Sequence, residues 1–369
     1  MEGEVLSSPS IFDAMSFLFS PLKIREITFK NRIFVSPMCQ YSSENGKATD
    51  WHLVHLGSRA VGGASLIIAE ATAVCPEGRI SPQDMGLWSQ GHVAALKKIT
   101  AFIKSQNAIP GIQIAHAGRK ASTPRPWDPK HKIFVPASDG GWTPVAPSAI
   151  PFGENYPVPH ALSRKEIEKL IGQWEKSASL AVQAGFQTLE LHFAHGYLLH
   201  SFLSPLSNQR TDEFGGSLEN RMRLAVLIAT QVRKVWPKEY PLFARLSATD
   251  WVDGGWDVPS SIELAKKLKA AGVDLIDCSS GGLVPHAKIP AAAGYQVPFA
   301  QEIREKAGVM TGAVGMITEP RQAEEILSSG KADAVLMARE FLRTPYWPLN
   351  AAKVLNEDIP CPPQYLRAR

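Results

Sequence analysis

SRKEIEKLIGQWEKSASLAVQAGFQTLELH, residues 163–192, contains one full unit of the pattern that organises the chain. Ser163 stands before a charged run with Glu166 three positions on, the spacing at which each side chain satisfies the other's free backbone amide. The amphipathic stretch 165–183 predicts a helix. Gly185 follows, where a left-handed residue ends a helix without the steric cost of a Cβ. The apolar run 187–192 then predicts a buried strand. A helix handed by a glycine straight into an apolar strand is the repeating element of a parallel sheet.

Outward from this unit, short β-branched or apolar runs at 32–36, 65–70, 111–115, 187–192, 242–246, 275–278, 310–314 and 334–337 predict eight strands. Helices are expected at 53–61, 92–104, 165–183, 218–235, 261–270, 298–305, 319–327 and 341–355, and Gly272 repeats the role of Gly185 before the sixth strand. Eight strands each followed by a helix predict an α/β protein, a single (β/α)8 TIM barrel. The connections after strands three and four, 116–160 and 195–215, far exceed the usual length of about 2–6 residues. In a barrel they belong to the C-terminal face, where active sites are built. The first is rich in Pro, Gly and Trp, which favours ordered turns. Residues 1–16 are expected to form a flexible extension, and 17–369 one barrel domain with a C-terminal tail.

Composition excludes several classes. With 369 residues, 44% of them hydrophobic, the chain can bury one large core. The formal charge of +4 comes from interleaved basic and acidic residues, with no basic run to track a nucleic-acid backbone. Cys39, Cys75, Cys278 and Cys361 are too scattered for a disulfide framework or a structural zinc site. No apolar stretch approaches the ~20 residues of a membrane span. Acidic Glu2 and Glu4 stand where a secretory signal carries basic residues, so a cytoplasmic protein is expected.

Chemistry should sit at the strand ends. Strand one ends in Ser36, Pro37, Met38 and Cys39, strand two in Glu70 and Ala71, strand three offers Gln113 and His116, and strand four His192 and His195. Strand five offers Arg245, strand seven Gly315, and strand eight Ala338 and Arg339. These are donors and cations with hardly any carboxylates, a set suited to an anionic heteroaromatic cofactor. Gly315 and Arg339 fall where barrels bind phosphate, although either alone reads equally well as a turn or a surface ion pair. His192 and His195 can both hydrogen-bond one substrate oxygen, and Tyr197 can donate a proton. A rival reading makes the two histidines metal ligands in a barrel hydrolase; strand one lacks the His-x-His pair that such a site would use. Cys39, read alone, is inert packing.

The motifs NRIFVSPMCQYS, IQIAHAGRK, ELHFAHGYLLHSFLSPLSNQRTDEFGGSLENR, DLIDCSSGG, TGAVGMIT and QYLRAR together resemble the Old Yellow Enzyme family, most closely its bacterial-type, thermophilic-like subgroup, over nearly the whole chain from Phe17. The resemblance implies noncovalent flavin mononucleotide (FMN) held by Ser36, Pro37, Met38, Cys39, Ala71, Gln113, Arg245, Gly315, Ala338 and Arg339, with Ala338 departing from the family's usual glycine. It implies NADPH or NADH as hydride donor, and small-molecule enones as substrates whose C=C bond is reduced in a ping-pong cycle. His192 and His195 would grip the substrate oxygen beside Tyr41, with Tyr197 as proton donor and Cys39 touching the flavin. It also implies a homodimer or dimer-based homotetramer in which Arg367 crosses the interface. A flavin redox sensor without catalysis is the remaining alternative.

Overall fold

The computed structural model describes residues 16–368, so the expected extension lies, apart from Ser16, outside the described residues. Eight parallel strands form a closed barrel in chain order: β1 (Ile33–Val35), β2 (Leu66–Ala73), β3 (Ile109–Ala115), β4 (Thr188–Phe193), β5 (Leu242–Ser247), β6 (Leu275–Ser279), β7 (Met310–Ala313) and β8 (Ala334–Met337). Closure is the pairing of β8 with β1, Val335 opposite Ile33 and Met337 opposite Val35. Around the barrel run α1 (Asp50–Val61), α2 (Val93–Ser105), α3 (Arg164–Gln183), α4 (Leu218–Val235), α5 (Val258–Ala270), α6 (Val297–Ala307), α7 (Pro320–Ser328) and α8 (Trp347–Leu355). The expected TIM barrel is the observed fold.

The unit at 163–192 forms as its chemistry dictates. The Ser163 amide donates to Glu166 Oε2 at 2.7 Å while the Glu166 amide donates to Ser163 Oγ, and Gly185 takes φ 88°. Alternation along β4 then divides two environments. Leu189, Leu191 and Phe193 join the layer between strands and helices, where Phe193 meets Trp174 of α3 at 5.9 Å between ring centres. Glu190 and His192, of opposite parity, are buried too, and Glu190 meets Gln113 of β3 inside the barrel.

The lower interior is apolar: Phe34, Leu66, Ile68, Phe243, Leu275 and Leu336 cluster there. A hairpin unforeseen in the sequence, Leu22–Ile24 paired antiparallel with Ile27–Phe29, packs against this layer. Its Phe29 lies 4.9 Å from Phe34, and Arg25 at its left-handed turn binds Asp274 at 2.7 Å. Strands of three residues give too short an alternation to read.

Three further expectations are corrected. The helix expected over 341–355 is two, a short one at Arg339–Arg343 and α8. Pro345 clashes with helical geometry in the residue before it, and Thr344 is turned out to φ −131° and ψ 79°. The connection 195–215 contains a helix, Leu198–Leu203, and 116–160 contains the pair Val145–Ala146 and His160–Ala161. β2 runs beyond the expected 65–70 and carries a bulge between Ala69 and Ala71.

Phe34→Ala removes the ring that links hairpin and barrel, and should cost about 3–5 kcal/mol in urea unfolding at fixed FMN concentration. Phe17→Ala, on an exposed ring, should stay within about 0.5 kcal/mol.

Candidate active site

The predicted residues gather at the C-terminal ends of the strands. The Ser36 amide donates to the Met337 carbonyl at 3.0 Å, extending the β1–β8 seam, and Ser36 Oγ accepts from Arg245 Nη1 at 3.0 Å. Pro37, Met38, Cys39 and Tyr41 follow on a segment tied down by Glu70, whose Oε2 accepts from the Gln40 amide at 2.7 Å and whose Oε1 meets His52 Nε2 at 2.8 Å. The β2 bulge at Glu70 explains the reach of that carboxylate and leaves Ala71 directly opposite Gln113. Burial, then the charges of Asp84 and Glu70, pushes the Cys39 thiol well above its ordinary value. Cys39 is therefore a neutral thiol. Tyr41 is left-handed at φ 50°, and its ring meets Trp127 edge-on at 5.9 Å.

His192, His195 and Tyr197 form one aromatic cluster, with His192 5.1 Å from each of the other two rings. His195 sits at φ 60° in a sharp turn. Its amide donates to Ser247 Oγ at 2.9 Å, and its Nε2 lies 2.7 Å from Ser279 Oγ. The buried Nδ1 of His192 has no partner among the described residues. Burial and the Arg245 charge hold both imidazoles well below their ordinary pKa, so both are neutral. Burial raises the Tyr197 phenol, so it keeps its proton.

The turn is braced by residues that the sequence reading passed over. The Gly196 amide donates to His200 Nδ1 at 2.9 Å, which fixes the His200 proton on Nε2, 2.8 Å from the buried Asp250. Asp250 also accepts from Ser204 Oγ and the Trp256 amide, both at 2.7 Å. Lys120 Nζ donates to the carbonyls of His195 and Gly282 at 2.9 and 3.1 Å and lies 5.2 Å from the Tyr197 ring centre. Burial, then Arg119, pushes this ammonium down to about 8. Gly282, at φ 87°, allows the two turns to meet: a Cβ there would stand 2.8 Å from the His195 Cα.

A cavity of about 470 Å³ opens beside this cluster, lined by Arg245, Ser279, Gln296, Gly315, Ala338 and Arg339 among others. Arg343 adds a third cationic group to its wall. Ala338 has a negative φ of −105°, so its methyl costs no left-handed strain. The expectation of hardly any carboxylates concerned the strand ends; below them the barrel holds two. Glu190 and Asp277 are fully buried in the barrel, Glu190 Oε1 accepting from Gln113 Nε2 at 2.7 Å and Asp277 paired with Arg245 at 3.1 Å. Their strand positions were read only as apolar runs, since one inward carboxyl per strand leaves little mark on hydropathy. Arg367 is exposed on the tail and lines neither this cavity nor a second one, of about 380 Å³, between α8 and the tail.

The orphaned His192 nitrogen, the guanidinium and carboxamide groups of Arg245 and Gln113, and the arginine-lined cavity fit FMN: polar ring edge on one side, phosphate on the other. The barrel and site thus define a flavin-binding oxidoreductase. The chain belongs to the NADH:flavin oxidoreductase / NADH oxidase family, which it matches over residues 17–358. It is 49% identical over 352 residues to the NADPH dehydrogenase of Bacillus subtilis (strain 168), covering 95% of this chain and 98% of that one. The structure of the old yellow enzyme homologue from Zymomonas mobilis aligns with a TM-score of 0.76 at 28% identity, over 93% of this chain and 94% of that one. That of 2-naphthoyl-CoA reductase aligns with a TM-score of 0.83 at 27% identity, covering 92% of this chain but only 52% of the other. The chain is a flavin-dependent enzyme using FMN, with NAD(P)H as hydride donor. The hydrolase and sensor alternatives give way to the family match. Among the described residues no helix is long and apolar enough to cross a membrane.

Gly282→Ala should cost about 1–3 kcal/mol and, by displacing His195, weaken phenol binding in flavin-absorbance titrations. Gly330→Ala, at φ 72° but in open space, should show only the backbone strain and unchanged phenol affinity.

Proposed function

We propose that the enzyme reduces the C=C bond of α,β-unsaturated carbonyl compounds, with donor and acceptor occupying one site in turn. The observation that carries this reading is the neutral His192–His195 pair beside a protonated Tyr197, with the buried His192 Nδ1 unpaired among the described residues and His195 bound to Ser279 of the cavity wall. Ser36 through Cys39, Ala71, Gln113 and Arg245 would hold the ring of FMN, and Gly315, Ala338 and Arg339 its phosphate end. When bound, FMN supplies the two-electron relay between NAD(P)H and the acceptor.

The protein's own part is orientation, electrostatics and one proton. Neutral imidazoles donate hydrogen bonds to a carbonyl oxygen without an ion to desolvate, and favour the enolate-like charge that develops there. One such donor contributes about 3 kcal/mol in comparable oxyanion sites. Ser279 and Ser247 hold the His195 ring and backbone, so the pair keeps its spacing without substrate. Tyr197, with its proton retained, delivers it to the α-carbon, and Tyr41 with Trp127 borders the substrate.

The test separates the half-reactions. Tyr197→Phe should slow enone reduction about 100-fold or more in stopped-flow mixing, with flavin bleaching by NADPH within about twofold of wild type. Equal slowing of both halves would make Tyr197 a structural residue.

The tail belongs to the same reading. Residues 363–368 form a short turn with Tyr365 Oη 3.2 Å from Tyr346 Oη, and Arg367 projects without entering its own chain's cavity. An exposed aromatic and arginine suit docking across a homodimer or dimer-based tetramer, where such residues dominate binding. Arg367→Ala should raise the enone KM by about tenfold at normal FMN content. A monomer by light scattering at micromolar concentration would refute the crossing.

A further inference from the structure

Beneath the site lies a polar layer that the reaction itself does not use. Gln113 of β3, Glu190 of β4, Arg245 of β5 and Asp277 of β6 all point inward, with Ser36 completing the ring beyond β1. His192 stands two residues above Glu190, and Phe243 and Leu275 of the apolar layer lie two residues below Arg245 and Asp277. Glu190 and Asp277 are both 0% exposed, on the strands either side of β5, and close enough for each to act on the other's protonation. Among the described residues, Arg245 is the one cation paired with either carboxyl.

Two ionised carboxylates against one guanidinium would leave a net negative charge sealed in the barrel. They would also leave oxygens without donors, and Glu190 Oε2 and both Asp277 oxygens do lack a well-aligned hydrogen bond. Buried charge without a partner is strongly unfavourable. One proton removes both defects.

We propose that Glu190 and Asp277 share a single proton carried on Glu190 Oε2, and that this neutral-acid bridge positions Gln113 and moderates the pull of Arg245 on the flavin. The side of each partner follows from its neighbours. Asp277 faces the guanidinium, which favours the ionised form. Glu190 has no ion-pair partner among the described residues; its Oε1 accepts from the Gln113 amide, whose N–H needs nothing more than a carbonyl oxygen. Burial, then the Asp277 charge, raises the Glu190 carboxyl above its ordinary range; burial raises Asp277 too, against the opposing pull of Arg245, in keeping with one retained proton. With Glu190 neutral, the donated Gln113 N–H is committed to Oε1, which sets which part of that carboxamide remains for the ring edge. Asp277 meanwhile neutralises Arg245 before any cofactor enters. Glu190 and Asp277 are thus positioning residues, acting through Gln113 and Arg245.

The inference rests on the assignment of those two residues to the flavin ring, and the test separates the two. Glu190→Gln supplies the same donor and acceptor as the protonated acid, so the flavin midpoint potential of the holoenzyme should move by less than a twofold change in relative affinity for reduced flavin. Asp277→Asn strips Arg245 of its counterion. It should favour the reduced flavin by about tenfold, ~30 mV for a two-electron couple. In the infrared spectrum of both apo and holo protein, a buried carboxylic acid carbonyl band should be present in wild type and missing in Glu190→Gln. Absence of that band in wild type at neutral pH, or a Glu190→Gln potential shift as large as that of Asp277→Asn, would overturn the shared proton. If Arg245→Gln also leaves the potential unmoved, the ring assignment itself is wrong, while the infrared band still decides the proton. Should Asp277→Asn fail to fold, Glu190→Gln and the infrared band decide alone.

Discussion

The inside of a closed barrel admits neither bulk water nor a free strand edge, so every polar group placed there must find its answer on another strand. This chain meets the condition by layers. Below, Phe34, Phe243, Leu275 and Leu336 ask for nothing polar. In the middle, Gln113 pairs with Glu190, and Arg245 with Ser36 and Asp277, from strand to strand. At the top, the buried His192 Nδ1 is left without a partner among the described residues. A site for an outside molecule is the place where internal satisfaction stops.

Holding such a site open requires stiffness in the parts around it. The His195 turn is fixed from four directions: Ser247 and Ser279 from β5 and β6, the His200–Asp250 pair from the following helix and the β5 loop, and Lys120 from the β3 loop. Lys120 and Arg119 are cations whose hydrogen bonds run to carbonyls, Arg119 to those of Ile150, Pro151 and Leu283. Burial, and then the charges of Arg245 and Lys120, keep the imidazoles neutral.

Much of this was legible because the signals are local. The Ser163–Glu166 box, the left-handed Gly185 and Gly272, and the strand runs each follow from neighbours in sequence, and they suffice for the barrel. The strand-end inventory named Ser36, Gln113, His192 and Arg245, which the fold brings to one end. What escaped depended on distant partners. Nothing near Glu190 announces Asp277, and nothing near Gly196 announces that His200 will be braced by Asp250. The hairpin at 22–29 was too short to show a period, and the break at Pro345 was passed over although its chemistry was in plain view.

The seam between β1 and β8 ties the first barrel strand to the last, with Arg32 Nη1 donating to the Asp333 carbonyl beside it and the Ser36 amide to Met337. On a ribosome, β1 is therefore made long before its second neighbour exists. Through most of synthesis its backbone donors and acceptors on that side stay open, the kind of edge that invites pairing with another chain. Three residues, Ile33 to Val35, form the paired stretch, and a strand so short offers little for a stray partner to grip. The brevity that weakens this strand in the finished barrel is a safeguard while the barrel is still being made.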